Sequence, residues 1–324
     1  MNNIPEISTE LSREDIIGNI LVRFSFNRMD YKVSPGIYAV NNPNQESPVF
    51  VSANYKLSFD VLRKNLKNIP AWILVIDTKG INVWCAAGKG VFGTDELVSR
   101  IKSAGLENVV NHKIIIVPQL GAPGIAAHKV KQLSGFKVIY GPVRAEDIPG
   151  FMKNNMVATE QMRRAGFGFI DRFTVMLAEF AATIKILVFI AALMVIITKI
   201  VTGNIRINMN LFLNISAGFV AGSVLGPVLL PWLPGKAFSV KGFFCGVLVY
   251  LVLTVSGLSG TNYLLYSGWL LVISVVSSFL LMNFTGASTY TSLSGVIKEM
   301  KTAVPLQAIG IVAGVVLVIM GFFK

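Results

Sequence analysis

The first half of the chain alternates short apolar runs with amphipathic stretches. The apolar runs are rich in β-branched residues and predict strands over residues 36–40, 48–52, 71–77, 113–118 and 136–141. Helical spacing of apolar residues predicts helices over residues 58–67, 94–104 and 124–133. Because the last three strands alternate with helices, we expect an α/β domain with a parallel, doubly wound, Rossmann-like sheet. The first two strands, joined by polar residues 41–46, predict an antiparallel hairpin at its edge.

Five longer apolar runs follow, each close to the roughly 20 residues that a membrane-spanning helix needs. We place these spans at Ala181–Val201, Leu211–Leu230, Val240–Gly257, Tyr263–Asn283 and Val304–Phe323. The pattern therefore predicts a soluble domain over residues 1–170 and an all-α transmembrane domain of five helices over residues 171–324.

Charged residues predict the orientation of the chain. The formal net charge is +12, yet no block of Lys and Arg indicates a nucleic-acid partner. Basic residues concentrate on one side of the predicted membrane, at Arg163, Arg164, Arg172, Lys236, Lys241, Lys298 and Lys301, and the other side carries Lys199, Arg206 and Lys324. The positive-inside rule predicts a multi-pass protein of the cytoplasmic (inner) membrane, with the N-terminal domain in the cytoplasm and the C-terminus outside. The polar N-terminal residues, which do not resemble a signal peptide, agree.

The second span contains the segment GSVLGPVLLPWLPG at residues 222–235. Glycine and proline breaks of this kind line substrate sites in some transporters. A kinked helix that ends at the membrane interface, with Trp232 as an aromatic anchor, is the simpler interpretation. Glu179 and Lys185 lie near one end of the first span, where long side chains reach the interface. The connector over residues 285–300 is rich in hydroxyl side chains and has no evident mechanism.

Three loops follow the last three predicted strands: NVWCAAGKGVFGT (82–94), PQLGAPG (118–124) and GPVRAED (141–147). Open α/β sheets bind ligands at the carboxyl ends of their strands, where these loops should meet. Their glycines and prolines allow the backbone to approach a large, flat ligand. Thr94 is the predicted N-cap of the following helix, in which Glu96 and Arg100 are spaced to form an ion pair.

Conventional metal and catalytic motifs are scarce. His112 and His128, the only histidines, stand apart in the sequence, and the only cysteines are Cys85 and Cys245. This argues against a zinc or iron–sulfur site made by the protein alone. Cys245, inside the third span, is expected to pack in the core. By its spacing alone, Cys85 is either an inert core residue or a functional thiol.

The segment NVWCAAGK, residues 82–89, resembles the signature of the mercury-methylating corrinoid protein (HgcA) family. The order of a corrinoid domain and a multi-span membrane domain also matches that family. Residues 138–152, VIYGPVRAEDIPGFM, resemble the corrinoid domain of the corrinoid iron–sulfur protein of acetyl-CoA synthesis. The resemblance favours a functional Cys85 in a Rossmann-like cobalamin-binding domain.

The resemblance implies that Cys85 is the catalytic residue, as the lower axial thiolate ligand of cobalt in base-off cobalamin. A thiolate is a soft, strongly donating ligand that favours transfer of a methyl group as a carbanion equivalent. By analogy, Asn82 caps the helix that bears Cys85, Trp84 packs against it and Lys89 reaches a polar group of the cofactor. The implied cofactor-binding residues are Asn82, Val83, Trp84, Cys85, Ala86, Ala87, Gly88, Lys89, Gly93, Thr94, Gly121, Ala122, Pro123, Gly124, Gly141 and Pro142.

The implied activity is corrinoid-dependent transfer of a methyl group from methylcobalamin to Hg(II), which forms methylmercury. The implied partners are a two-cluster [4Fe-4S] ferredoxin-like electron donor, a methylated pterin or its methyltransferase as methyl donor, Hg(II) and the lipid bilayer. Two alternatives stay open. One is a corrinoid methyl carrier for a different acceptor in one-carbon metabolism, and the other is a membrane transporter with a cytoplasmic sensing domain.

Overall fold

A computed structural model describes residues 4–24, 27–28, 30–202, 208–284 and 293–323. The chain forms two compact units, and the main division falls between Ala165 and Gly166. We call them the N-terminal unit and the C-terminal unit. Of the predicted features, Arg206, Lys324 and residues 285–292 lie outside the described residues.

The N-terminal unit contains a five-stranded sheet. Its strands are β1 (Gly36–Val40), β2 (Val49–Ala53), β3 (Ala71–Ile76), β4 (Ile114–Val117) and β5 (Lys137–Tyr140). Their order is β1-β3-β2-β4-β5. β2, β3, β4 and β5 run parallel, and β1 is antiparallel to β3. The predicted strands and the parallel arrangement of the last three are therefore confirmed. The chain passes from β2 to β3 on one side and then crosses to β4 on the other side of β2. α/β sheets bind ligands where the direction of the connections changes in this way.

The predicted hairpin of the first two strands is wrong, because β3 lies between them. All of β2 is buried, as the apolar run VFVSA requires, and a strand buried on both faces belongs inside a parallel sheet. β1 is only partly buried and takes the edge position. The side-chain amide of Asn41, just after β1, donates to the carbonyl oxygens of Leu66 and Ile69 (2.9 and 3.1 Å) and ties this connection to the segment before β3.

Helices cover both faces of the sheet. They are α1 (Arg13–Arg23), α2 (Lys56–Asn65), α3 (Val83–Gly88), α4 (Thr94–Ser103), α5 (Ala127–Ser134), α6 (Ile148–Lys153) and α7 (Glu160–Arg163). One face packs against apolar residues of α3, α4 and α5, and the other against those of α2 and α6. Within β3, Leu74 and Ile76 face the first layer and Ile73 and Val75 the second, as the two-residue period of a strand dictates.

A cluster of alternating charges joins α1 to α2. Lys56 and Arg63 each contact both Asp15 and Asp60, with N–O distances of 2.6–2.8 Å for three of the pairs. Burial by itself raises the pKa of Asp15, but hydrogen bonds from Lys56, the Ser12 backbone N–H and Arg63 hold that pKa well below its ordinary value. The cluster therefore holds α1 against α2 through ion pairs between these charged side chains.

The C-terminal unit is helical. It contains α8 (Phe169–Thr202), α9 (Met209–Val220), α10 (Gly226–Leu229), α11 (Phe238–Val255), α12 (Tyr263–Phe284) and α13 (Leu293–Phe322). Over the described residues, five helical segments are long and apolar enough to cross a membrane, in agreement with the predicted spans. α8 and α13 begin about three turns before the predicted spans, so residues 293–300 of the predicted connector are helical.

The second predicted span is interrupted as its sequence suggested. α9 passes into a π-helical turn at Ala221–Leu225 and then into α10, which begins just before Pro227. The ammonium group of Lys241 donates to the carbonyl oxygens of Leu230 and Leu233 (2.8 and 2.5 Å) beyond the end of α10. Trp232 is 70% exposed there, and its role as an aromatic anchor at a membrane interface stays a prediction.

Small residues bring three helices close to α12. A Cβ atom built on Gly222 or Gly242 would lie 2.8 or 2.6 Å from the Ser277 carbonyl oxygen, and one on Gly314 would lie 3.2 Å from that of Gly268. α12 thus packs against the π-helical turn, α11 and α13 through close backbone approaches, the usual way membrane helices associate. The Ser277 hydroxyl donates to the Gly242 carbonyl oxygen (2.7 Å) across one of these contacts.

Candidate functional site

Three loops lie together at the carboxyl edge of the parallel sheet. They follow β3, β4 and β5, whose strands all end at this edge. The Gly141 N–H after β5 donates to the Val117 carbonyl oxygen of β4 (2.8 Å), and the Tyr140 hydroxyl donates to that of Ile125 (2.6 Å). The Thr94 N–H, at the end of the loop after β3, donates to the Gly124 carbonyl oxygen (3.1 Å) of the loop after β4, so the three loops are joined to one another.

The loop after β3 carries Cys85 on the short helix α3. Asn82 is the N-cap, and its side-chain oxygen accepts a hydrogen bond from the Cys85 N–H (2.9 Å), as the sequence analysis predicted. Cys85 is a free, half-exposed thiol. A capped helix at the sheet edge thus carries a partly exposed cysteine.

The two faces of α3 differ in character. Ala86 and Ala87 are buried against the sheet, whereas Gly88 and Lys89 are exposed. A Cβ atom built on Gly88 would meet nothing within 4 Å, so this glycine is not required by packing. Val83 packs against the core, and Trp84 is half-buried.

The loop after β4 packs tightly on the residues that follow α3. A Cβ atom on Gly121 would lie 2.5 Å from the Phe92 ring, and one on Gly124 would lie 2.0 Å from the Phe92 carbonyl oxygen. These glycines are therefore explained by the close approach of two protein segments. Between them, Ala122 is half-buried and Pro123 is exposed.

The predicted N-cap Thr94 is wrong by one position. Gly93 is the N-cap of α4 and has extended backbone, and Thr94 is the first helical residue. The Thr94 hydroxyl instead accepts a hydrogen bond from the Ala126 N–H (2.9 Å) and joins α4 to the loop after β4. The predicted ion pair of Glu96 and Arg100 is confirmed at 2.8 Å.

Gly141 and Pro142 are both buried in the loop after β5. The Pro142 carbonyl oxygen accepts a hydrogen bond from the Gln119 N–H (3.4 Å), which links this loop to the one after β4. The structure thus places these two residues in the buried part of the carboxyl edge of the sheet.

A cavity of about 300 Å³ opens beside these loops. It is lined by Gly90, Gly93, Thr94, Asp95, Glu96, Gly124, Ala126 and Lys129. The start of α4 and the start of α5 both border it, and its lining carries two acidic side chains, Asp95 and Glu96, and one basic side chain, Lys129. Gly93, Thr94 and Gly124 are the predicted site residues that it brings together.

Asn54, directly after β2, is a residue that sequence reasoning missed. It is 3% exposed, and its side chain bonds to three residues of the loop that leads to α3. The available signal was a carboxamide directly after a buried strand, since a buried polar side chain requires partners.

The histidines and the second cysteine have structural surroundings. The His112 ring contacts the Ser47 carbonyl oxygen (2.9 Å), and His128 is exposed on α5. Cys245 is buried and contacts the Ala221 carbonyl oxygen (3.3 Å), which confirms its role in packing. Among the residues that the structure describes, no group of three or more His, Cys, Asp or Glu side chains is placed to hold a metal ion.

The N-terminal unit is similar to a known class of protein. A family model described as the CO dehydrogenase/acetyl-CoA synthase delta subunit (CdhD) matches residues 20–152. This match contains every strand of the sheet and every predicted site residue. The C-terminal unit lies beyond it.

Particular relatives agree with the family match. The chain is 28% identical to the acetyl-CoA decarbonylase/synthase complex subunit gamma of Archaeoglobus fulgidus, over 46% of the chain and 32% of the relative. It is 30% identical to the corrinoid/iron–sulfur protein large subunit of Moorella thermoacetica, over 39% of the chain and 28% of the relative. It is 31% identical to the subunit gamma of Methanosarcina acetivorans, over 40% and 28%. The chain thus spans a third or less of the length of these relatives.

Proposed function

We propose that the N-terminal unit binds a corrinoid and that the chain is a membrane-anchored, corrinoid-dependent methyltransferase. The observation that carries this proposal is the half-exposed Cys85 thiol on a capped helix at the carboxyl edge of the sheet. It lies within the segment that is similar to the corrinoid/iron–sulfur protein large subunit. This supports a corrinoid domain of the same general kind.

The residues present fit a corrinoid in two respects. Cys85 offers one soft sulfur donor, which suits a metal whose other ligands come from a macrocycle. A Cβ atom on Gly88 or Gly90 would meet nothing within 4 Å, so the surface beside the thiol is low and open enough for a flat ligand. When bound, the corrinoid supplies a cobalt centre that carries the methyl group between donor and acceptor.

The chain's own residues would hold and orient this group. Asn82 fixes the backbone of Cys85, so that the sulfur is presented at one position. Ala86 and Ala87 anchor α3 to the core and leave its outer face to the ligand. Lys89, which is exposed, is proposed to bind an amide or phosphate oxygen of the cofactor. The cavity beside Gly93, Thr94 and Gly124 is the proposed place for part of the nucleotide tail.

We propose Hg(II) as the methyl acceptor because residues 82–89, NVWCAAGK, resemble the signature of the mercury-methylating corrinoid protein family over their whole length. The second candidate is an acceptor in one-carbon metabolism, which the similarity to acetyl-CoA decarbonylase/synthase subunits favours. Transfer of a methyl anion to Hg(II) would leave the cofactor two electrons too oxidised to accept the next methyl cation, so this activity would need an external two-electron donor. Transfer of a methyl cation to another acceptor would need electrons only to reactivate oxidised cofactor. We propose a ferredoxin-like protein with two [4Fe-4S] clusters as the donor. The methyl donor is proposed to be a methylated pterin or its methyltransferase.

Spectroscopy and product analysis of the full-length protein test this function. We expect the purified protein to bind cobalamin with a visible absorption spectrum and to show no nitrogen superhyperfine coupling from an axial ligand in the pulse EPR spectrum of its Co(II) form. Addition of Hg(II) to protein loaded with methylcobalamin should then yield methylmercury. Corrinoid binding without methylmercury would favour another acceptor, and no corrinoid binding would favour the transporter alternative.

A further inference from the structure

The side chain of Asn54 is at the centre of a buried hydrogen-bond network. Its Oδ1 atom accepts from the backbone N–H groups of Thr78 and Gly80 (both 3.0 Å), and its Nδ2 atom donates to Asp77 Oδ1 (3.0 Å). The Thr78 hydroxyl lies 2.9 Å from the same Asn54 oxygen. Two backbone donors face Oδ1, so the orientation of the carboxamide is determined by chemistry.

Asn54 is itself rigidly placed. It follows β2, which lies between β3 and β4 in the sheet. Its backbone N–H donates to the Ile76 carbonyl oxygen (3.1 Å), and its own carbonyl oxygen accepts from the Val33 N–H (2.9 Å). Every polar group of Asn54 is thus engaged, and the residue is a fixed point to which a loop can be attached.

The attached loop has a conformation that needs support. Lys79 and Gly80 both have left-handed backbone, with φ of 58° and 73°. Glycine adopts this conformation freely, but lysine does not. Asp77 Oδ1 accepts from the Lys79 N–H (2.9 Å) as well as from Asn54, so the network stabilises the unfavourable residue directly.

The same network leads to the thiol. The Thr78 hydroxyl is 2.6 Å from the Ile81 carbonyl oxygen, and Ile81 immediately precedes Asn82, the cap of α3. The position of α3 therefore depends on the turn that Asn54 holds.

We propose that Asn54 is the positioning residue for Cys85. Through the turn at residues 77–81, it sets the direction in which α3 leaves the sheet and thereby the place of the sulfur. That the position of the sulfur matters for binding a corrinoid rests on the proposed function. That Asn54 determines the position of the sulfur does not.

A charge-exchange pair of variants provides the test. Asn54→Asp keeps the acceptor for Thr78 and Gly80 but sets a second carboxylate against Asp77 in place of a donor. The double variant Asn54→Asp/Asp77→Asn restores one donor and one acceptor between the two positions. All variants are made in the full-length protein with Cys245→Ser, which leaves Cys85 as its only cysteine.

The first measurement is the rate at which iodoacetamide alkylates Cys85 in cofactor-free protein. We expect Asn54→Asp to raise this rate about threefold or more, and the double variant to return it to within about twofold of the parent. The matched control, Asn65→Asp on α2, adds the same charge at a half-exposed residue whose carboxamide donates to the Val61 carbonyl oxygen of its own helix, and it should leave the rate unchanged. An unchanged rate in folded Asn54→Asp protein would overturn the proposal.

A second measurement separates this proposal from the proposed function. In protein loaded with cobalamin, Asn54→Asp should lower the fraction with sulfur-ligated cobalt, and the double variant should recover it. If the parent binds no cobalamin but the alkylation rates follow the expected order, the proposed function fails and the positioning role stands.

Should Asn54→Asp fail to fold, Thr78→Val and Thr78→Ser carry the test. Valine removes only the hydroxyl that contacts Asn54 and Ile81, whereas serine keeps it. Faster alkylation in Thr78→Val but not in Thr78→Ser supports the network, and equal rates in both contradict it.

Discussion

The side-chain oxygen of Asn82 and the backbone N–H of Cys85 are joined by a hydrogen bond of 2.9 Å. The residue three positions before the thiol therefore decides where α3 begins. Without this bond, the first N–H groups of a six-residue helix have no side-chain partner at its N-cap. A helix this short depends on its cap and on packing more than on intrinsic propensity.

Replacement of Asn82 tests this dependence. Asn82→Ala should lower the free energy of unfolding of the N-terminal unit by about 1 kcal/mol, the usual cost of losing an N-cap. Asn82→Asp keeps an acceptor oxygen and should remain close to the parent. Urea titration followed by circular dichroism measures both. Equal losses in the two variants would show that the cap oxygen does not matter.

Replacement of Cys85 separates ligation from packing. A half-exposed thiol contributes little to the core, so Cys85→Ser should cost less than about 1 kcal/mol of stability. The hard hydroxyl is a poor ligand, and we expect Hg(II) methylation to fall by at least about tenfold. The control, Cys245→Ser, keeps a donor for the Ala221 carbonyl oxygen and should retain activity. Near-normal methylation by Cys85→Ser protein would exclude the thiolate mechanism.

Two glycines beside the site should respond in opposite ways to alanine. Gly124→Ala places a Cβ atom 2.0 Å from the Phe92 carbonyl oxygen, so we expect it to destabilise the N-terminal unit by about 2 kcal/mol or more. Gly88→Ala meets open space in a helix and should leave stability unchanged or slightly higher.

Gly88→Ala also tests the proposed ligand surface. If a flat cofactor lies on this face, the added methyl group should weaken cobalamin binding while the protein stays folded. Titration of the cofactor-free protein with cobalamin, followed by absorbance, measures the change. Unchanged affinity would place the cofactor elsewhere.

The charged cluster of α1 and α2 predicts an acid-sensitive component of stability. The pKa of Asp15 is held below its ordinary value of 3.8, so its ionised form favours the folded state. This contribution is complete above about pH 5, begins to fall near pH 4 and is lost as the pH drops through the lowered pKa of the folded state. Asp15→Asn should therefore be less stable than the parent at pH 7 by roughly 1–3 kcal/mol, and the difference should shrink toward pH 2. Urea titrations from pH 2 to 7 measure it.

The predicted orientation is tested by reporter fusions. The basic residues before and at the start of α8, between α10 and α11, and near the start of α13 (Lys298 and Lys301) predict that the C-terminus lies outside. A phosphatase reporter, which is active only outside, should be active after the last residue, and a cytoplasmic reporter should be inactive there. The reverse result would change the number of spans or their direction.

Local patterns were sufficient for most elements but not for their partners. The run GIYAV predicted β1 with its observed bounds, because strand period and composition are local properties. The strand that pairs with β1 could not be predicted from the same residues, because both β2 and β3 are apolar enough to pair with it. The burial of all of β2 places that strand inside the sheet and leaves β3 beside β1. The Asn54 network was invisible for a similar reason. Its partners are 23 to 26 residues away, and only the folded sheet brings them together.

The site was predicted in part. The signature at residues 82–89 located the thiol and its cap, both of which are short-range features. The tertiary fit of Gly121 and Gly124 on Phe92 was not predictable, since a glycine in a loop has the same sequence appearance whether it adjoins a ligand or a neighbouring segment.

The glycine contacts around α12 determine which parts of the C-terminal unit can be exchanged. Of the five apolar helical segments in the described residues, α12 has the largest buried share of its apolar stretch, 56%, and α8 the smallest, 11%. A generic hydrophobic helix in place of α8 would therefore forfeit few contacts. The same exchange at α12 would put larger side chains where Gly268 and Ser277 now lie, and these would clash with the closely packed π-helical turn, α11 and α13. Any exchange or shortening of the C-terminal unit should therefore keep α12 together with the glycine-bearing segments that pack on it.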